Sequence, residues 1–413
     1  PSPVMMFLST LFLSVLWTTH AVPNHILTNE IYLSHYLHDT ESLVTTRGYP
    51  FETHNVTTSD GYILQIHRIP YSPFQKGGQA TERAPVYLQH GLLASSADWV
   101  IIGRNSSLAF LLSDLGYDVW MGNARGNHYS RNHVNLDPTD PLFWQFSWDE
   151  MAEFDLPANI DYILNNTGFK QLFYVGHSMG TTIYFAMTNS RQEYQKYVRL
   201  MTALAPVAYV SHIKSPFVRF MSFFSSSLQD ILTFLGHGEL STDHEPFKLM
   251  VKYFCDWNEI EELVCSNILF LFAGYDYQEF DPDILPSILD NTPAGTSVYT
   301  VAHYGQMLNS KKFCYFDFGK EKNEQKYNSS TPPAYTLNNV NTKIALHYSQ
   351  NDWLAVPEDV SRAIEELGSS VVRKRIVPLE KFNHLDFLWA NDVKTLLYDD
   401  VIKLIVKYTP GMK

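Results

Sequence analysis

The feature that most constrains this chain is the pentapeptide Gly176-His177-Ser178-Met179-Gly180. It follows an apolar, β-rich run, Gln171–Val175, and opens a helical stretch, Thr181–Ser190. Two glycines around a serine at a strand-to-helix junction describe a turn too tight for a Cβ. Such a turn thrusts the serine out at the carboxyl edge of a sheet as a nucleophile elbow. A glycine-rich helix start with an N-capping serine is the plainer alternative.

The rest of the chain supplies a sheet for that elbow. Phe51–Val56 and Tyr62–Ile69 are β-rich runs joined by Thr-Ser-Asp-Gly, which reads as a hairpin. Pro85–Gln89, Tyr117–Trp120, Gln171–Val175, Leu200–Leu204, Lys343–Tyr348 and Val372–Val377 are short continuous apolar runs, with helical patterns such as Ser107–Leu115 and Trp148–Leu164 between the earlier ones. That alternation predicts an α/β fold with a mostly parallel sheet covered on both faces. From Ala208 to Thr342 about 135 residues pass before the next buried strand, more than a parallel crossover needs, so they read as an inserted, mostly helical cap. The expected organisation is therefore a leader over 1–21, core over 22–207, cap and lid over 208–342, and core again over 343–413.

Composition narrows the function. Apolar residues make up 45% and charged residues 18% of 413, which excludes a disordered or fibrous chain. The net charge of −13, without a block of Lys or Arg, argues against a nucleic-acid partner. Phe7–Trp17 is an apolar run too short to span a bilayer, followed by small and polar residues through Ala21, and reads as a secretory signal. A buried helix is the alternative. Residues 1–4 read as a reading-frame remnant, with translation expected to start at Met5 or Met6. Sequons at Asn55, Asn105, Asn165 and Asn328 agree with export and mark candidate glycosylation sites. Within the insertion, Phe217–Leu235 is rich in phenylalanine but interrupted by Arg219, Ser225–Ser227 and Asp230, which argues against a membrane span. It reads either as a lipid-contacting lid or as a fixed cap helix.

A serine hydroxyl is a weak nucleophile and needs a base oriented by a carboxylate. On an elbow of this kind the partners follow in the order serine, acid, histidine. His384 lies in a loop just after Val372–Val377, whereas His347 falls inside a predicted strand, where a structural role is the default. Asp352 directly follows the strand Lys343–Tyr348; Asp359, at a helix start, and Asp386, two residues from the histidine, are rivals. Ser178, Asp352 and His384 would then share the carboxyl edge where such sheets place their sites. The oxyanion needs two N–H donors. Met179 follows the nucleophile, and Leu92 lies in the His90-Gly91-Leu92-Leu93 turn after an early strand.

Several long motif words point further. Leu88-Gln-His-Gly-Leu-Leu-Ala-Ser-Ser96, Gly116-Tyr-Asp-Val-Trp-Met-Gly-Asn-Ala-Arg-Gly-Asn127, Asp155-Leu-Pro-Ala158, Gly176-His-Ser-Met-Gly-Thr-Thr182, Pro293-Ala-Gly-Thr-Ser297 and Asn383-His-Leu-Asp-Phe387 resemble the acid lipase family, which includes gastric and lysosomal acid lipases. The resemblance runs from about Gly48 to the carboxyl terminus. It implies an α/β-hydrolase core with a helical cap, acting on esters of neutral lipids at a lipid–water interface, without metal or cofactor. It maps the family's triad onto Ser178, Asp352 and His384 and its oxyanion donors onto Leu92 and Met179. It also implies a cap disulfide between Cys255 and Cys265, leaving Cys314 as a free thiol. Two departures stand out: Met179 replaces the usual glutamine, and a cap cysteine common in the family is Ala273 here.

The leading expectation is a secreted or lysosomal lipid esterase, acting as a monomer with no transmembrane segment. The alternative is a non-catalytic lipid carrier on a lipase scaffold. The intact Ser, Asp and His favour the enzyme.

Overall fold

The computed structural model describes residues 38–75, 82–215, 238–240, 273, 274, 276 and 278–411. From Asp39 onward the chain forms one compact unit. Its sheet begins with the expected hairpin: β1 (Glu52–Thr57) and β2 (Tyr62–Ile69) pair antiparallel from Glu52↔Arg68 to Thr57↔Ile63. The turn closes because the Gly61 N–H reaches the Thr58 carbonyl at 3.0 Å and Gly61 takes φ +101°, where a side chain is strained.

The remaining strands are β3 (Pro85–Gln89), β4 (Asp118–Met121), β5 (Asn132–His133), β6 (Leu172–His177), β7 (Val198–Leu204), β8 (Glu239–Leu240), β9 (Thr296–Ser297), β10 (Ile344–Tyr348) and β11 (Val371–Ile376). The main sheet runs β1-β2-β4-β3-β6-β7-β10-β11, with β5 on β2 and a separate β8–β9 pair. From β4 to β11 every pairing is parallel, and β2 runs antiparallel to β4. Every residue of β3, β4, β6 and β10 is buried, as expected for strands covered on both faces. The edge strand β11 instead exposes Val372 and carries Arg373, Lys374 and Arg375, charges that discourage edge-to-edge pairing.

The predicted strands match within two residues, but the predicted helix Trp148–Leu164 is broken. A capped turn at Trp148–Glu150 leads into a π-helical turn, Met151–Asp155, and then the helix Leu156–Thr167. Pro157 explains the break, since it has no N–H to give and its ring crowds the carbonyl four residues back. That carbonyl, of Glu153, takes Arg191 Nη1 at 3.1 Å instead.

The described parts of the insertion carry three helices, Leu285–Asn291, Val298–Ser310 and Lys320–Tyr327. Ile288, Met307, Phe313 and Tyr335 join the same buried cluster as the sheet residues. Asn55, Asn105, Asn165 and Asn328 are all exposed. Cys314 is a buried free thiol that burial pushes up to about 11. The predicted leader, the Phe217–Leu235 lid segment and the Cys255–Cys265 pair lie outside the described residues. Among the described residues no helix is long and apolar enough to cross a membrane.

Candidate active site

Ser178 is the first residue after β6 and caps the helix Met179–Ser190. Its φ of +52° and ψ of −117° lie outside the regions open to a residue with a Cβ, a state that costs about 1–3 kcal/mol. Neighbours hold it there. The Ser178 N–H donates to Leu204 O at the end of β7 at 3.1 Å, and its carbonyl accepts the Thr181 N–H at 2.8 Å and Thr181 Oγ1 at 2.6 Å. The two glycines are required by contact. A Cβ on Gly180 would lie 2.4 Å from Gln89 O, and one on Gly176 would lie 2.8 Å from the Gly180 carbonyl carbon.

Asp352 and His384 reach the same edge from the loops after β10 and β11. Asp352 is fully buried, and its Oδ1 accepts the Leu354 and Ala355 N–H groups at 2.8 and 2.7 Å. His384 Nδ1 lies 2.8 Å from Oδ2 and 3.0 Å from Oδ1 of that carboxylate. The histidine backbone is tied at both ends: its N–H donates to Ala273 O at 3.3 Å, and its carbonyl accepts from His177 Nε2 at 3.0 Å. The rings of His177 and His384 are 4.9 Å apart, so the histidine loop lies against the residue preceding Ser178.

The two rival acids are committed elsewhere. Asp359 takes the His212 N–H at 2.9 Å and His212 Nδ1 at 2.7 Å. Asp386 accepts the Asn383 N–H at 2.6 Å. Burial, with Asp276, Glu279 and Asp352 nearby, holds its carboxyl well above the usual range. His347 is buried in β10 and faces Asp400 at 3.1 Å, the structural role expected of a strand histidine.

The expected oxyanion loop meets the elbow at Gly91, where a Cβ would lie 3.1 Å from Ser178 Cβ. His90 fixes this loop: its Nδ1–H donates to Gly91 O at 2.7 Å and its Nε2 accepts the Ala124 N–H at 3.0 Å. Burial pushes this imidazole down to about 4, so it stays neutral in that tautomer near pH 7. Leu93 takes φ +60° and its carbonyl accepts the Ala294 N–H at 2.6 Å. Met179 opens its helix, so its N–H has no carbonyl four residues back to satisfy it.

Comparison with known proteins identifies the family. Residues 40–103 match a family described as the partial alpha/beta-hydrolase lipase region, and residues 84–232 match the alpha/beta hydrolase fold. Human gastric triacylglycerol lipase is 39% identical over 398 residues, covering 95% of this chain and 96% of that protein. The chain belongs to the α/β-hydrolase lipases. Lipase 3 of Drosophila melanogaster is 40% identical to this lipase, over 87% of this chain and 91% of that one. Among solved structures, a soluble variant of monoglyceride lipase from Saccharomyces cerevisiae superposes with a TM-score of 0.51 at 15% identity, covering 88% of this chain and 99% of that one. That likeness speaks to the fold.

Three residues that the sequence shows only as motif letters or as a departure make contacts it does not reveal. Ala273, the residue that departs from the family, offers one carbonyl to both the Trp353 and the His384 N–H groups at 3.3 Å. Ala294 reaches the expected oxyanion loop at the Leu93 carbonyl. Arg125, fully buried, donates to Asp155 and Asp60 and lies 4.0 Å from the Tyr62 ring. That network fastens the loop after β4, which supports His90 and Ser96 through Ala124 and Asn123. Contacts of this kind, main-chain at Ala273 and Ala294 and side-chain at Arg125, depend on distant loops meeting in space.

Proposed function

We propose that this carboxylic ester hydrolase cleaves esters of neutral lipids, triacylglycerol or cholesteryl ester, through a Ser178–His384–Asp352 triad. The observation that carries the reading is the buried His384–Asp352 hydrogen bond, on a loop whose His384 carbonyl bonds His177, the residue before a serine held at φ +52°. Asp352 holds the proton of His384 on Nδ1, which leaves Nε2 free to accept the Ser178 proton as Oγ attacks the ester carbonyl. The Leu92 and Met179 N–H groups receive the developing oxyanion. His384 then protonates the departing alcohol, and water, activated by the same imidazole, releases the fatty acid from the acyl-enzyme. The names of the gastric relatives support a lipid substrate at a lipid–water interface. Residues 208–342 act as the cap, with Phe217–Leu235 as its lid, and Cys255–Cys265 is its disulfide. Export to the extracellular space or the lysosome, with glycans on the exposed sequons, fits the leader-like amino terminus, and the lipase acts as a monomer.

A fluorophosphonate probe separates this reading from a lipid carrier. Wild type should be labelled and Ser178→Ala should not, with turnover of a soluble ester falling about a millionfold. Labelling that survives in Ser178→Ala would overturn the assignment. Parallel assays on short-chain ester, emulsified triacylglycerol and cholesteryl ester resolve the preference.

A further inference from the structure

The imidazole next to the nucleophile has a role that rests on the triad reading above. His177 is buried, and its Nε2 lies 3.0 Å from the main-chain oxygen of His384. A carbonyl only accepts, so Nε2 carries the proton and Nδ1 is left as a bare acceptor. Nδ1 is buried without a hydrogen-bond partner. It faces Gly91, where an added Cβ would come within 3.2 Å of it. Phe387 lies beyond, its ring 6.4 Å from that of His177. One side chain therefore touches three parts of the site: the elbow through its own backbone, the oxyanion loop at Gly91, and the histidine loop at the His384 carbonyl.

An orphaned buried acceptor is unfavourable. A leucine would fill the space without it, so the physical reason for an imidazole here is its one used nitrogen, the Nε2 donor. We propose that His177 is a positioning residue whose Nε2–H holds the His384 backbone so that the His384 ring stays aligned between Asp352 and Ser178. The other two ties on His384 are the carboxylate on its ring and a longer bond from its N–H to Ala273 O, at 3.3 Å. Without His177 the His384–Leu385 peptide is held only on its N–H side, where Leu385 donates to Asn383 Oδ1 at 2.8 Å, and its carbonyl loses the bond that ties it to the elbow. The same position demands a neutral ring, because a charged His177 would oppose the imidazolium that forms on His384 during turnover. Burial, the neighbouring His384 and, more weakly, His90 push the His177 pKa well below its ordinary value, which meets that demand.

The test compares His177→Leu, His177→Asn and His177→Gln in the full chain with His384→Ala, using a soluble p-nitrophenyl ester and thermal unfolding. Glutamine carries a donor at about the reach of Nε2; asparagine is polar but too short; leucine has no donor. His177→Leu and His177→Asn should lower kcat about 10- to 100-fold with KM nearly unchanged, the size expected when a reacting group is misplaced by about 1 Å. His177→Gln should recover most of that loss. If leucine prevents folding, the asparagine–glutamine comparison still decides. Equal kcat in the two amide variants, or wild-type kcat in leucine, overturns the positioning role while an inactive His384→Ala leaves the triad standing. An active His384→Ala would instead refute the triad itself.

Discussion

Replacing Asp352 by asparagine changes one atom, and the structure fixes where the new amide nitrogen must go. Oδ1 already accepts two main-chain N–H groups, from Leu354 at 2.8 Å and Ala355 at 2.7 Å. A nitrogen there would face two donors, so the asparagine oxygen keeps that place and its NH2 takes the place of Oδ2. Oδ2 lies 2.8 Å from His384 Nδ1. An amide donor at that distance forces Nδ1 to accept, which moves the imidazole proton to Nε2, the atom that in the proposed triad must be bare to take the Ser178 proton. The wrong tautomer lowers kcat by about 10⁴-fold, or about 5 kcal/mol of barrier. Nearby acids offer no repair: Asp359 is bound to His212, and Asp386 is bound to the Asn383 N–H. The change is isosteric, so the unfolding midpoint should move little. The assay is kcat on a soluble ester, together with the second-order rate of fluorophosphonate labelling. Activity within tenfold of wild type, in a variant with unchanged thermal unfolding, would refute the tautomer argument.

Three further outcomes are expected. Met179→Gln should alter kcat only severalfold, because the oxyanion donor proposed at that position is the main-chain N–H; a loss of about 100- to 1000-fold would show that the side chain orients the proposed oxyanion loop. Asp98→Asn should stabilise the fold at pH 8 but not at pH 4, as read by urea unfolding. Burial pushes the Asp98 carboxyl up to about 8 and its Oδ1 has no hydrogen-bond partner. The folded chain therefore keeps a proton that the unfolded chain, with a pKa of about 3.9, releases. Stability from this group is full below about pH 4 and is lost as pH rises toward 8; equal gains at both pH values would contradict that. Ser178→Gly should abolish turnover yet raise the unfolding free energy by up to about 1–2 kcal/mol, since glycine accepts φ +52°. A glycine variant less stable than Ser178→Ala would mean the serine is not strained.

The sequence made the sheet legible because its central strands are buried on both faces and so read as unbroken apolar runs. The elbow was legible because only glycine fits between Gln89, Gly176 and Gly180, and that requirement leaves a fixed spacing. Chain order and strand ends singled out Asp352 and His384, which the structure joins by a hydrogen bond. Features set by tertiary contact left no such trace. Pro157 signalled the break before Leu156, but the Arg191 partner of the freed Glu153 carbonyl did not show in the sequence. The role of Ala273 belongs to its backbone carbonyl, which no side chain advertises. His177 lay inside the recognised motif, but its partner is a main-chain oxygen 207 residues away.

The strain in this lipase has a location that ties fold to chemistry. Among the described residues, five that are not glycine take positive φ. Lys311 and Asn328 do so where helices end, an ordinary place for that conformation. The other three, Leu93 at +60°, Ser178 at +52° and Ala205 at +49°, follow the ends of β3, β6 and β7, three adjacent strands of the sheet. Each is pinned by a main-chain hydrogen bond: Leu93 O accepts from Ala294, Ser178 N–H donates to Leu204 O, and Ala205 N–H donates to His347 O. Strained turns of this kind persist only where the surroundings overdetermine them. Here the surroundings are strands buried along nearly their whole length, close-packed on both faces so that a shift would open voids or force clashes. Burial at the centre of the sheet thus holds the distorted edge in place, and the distorted edge is where the elbow meets the Gly91 loop, the proposed oxyanion loop.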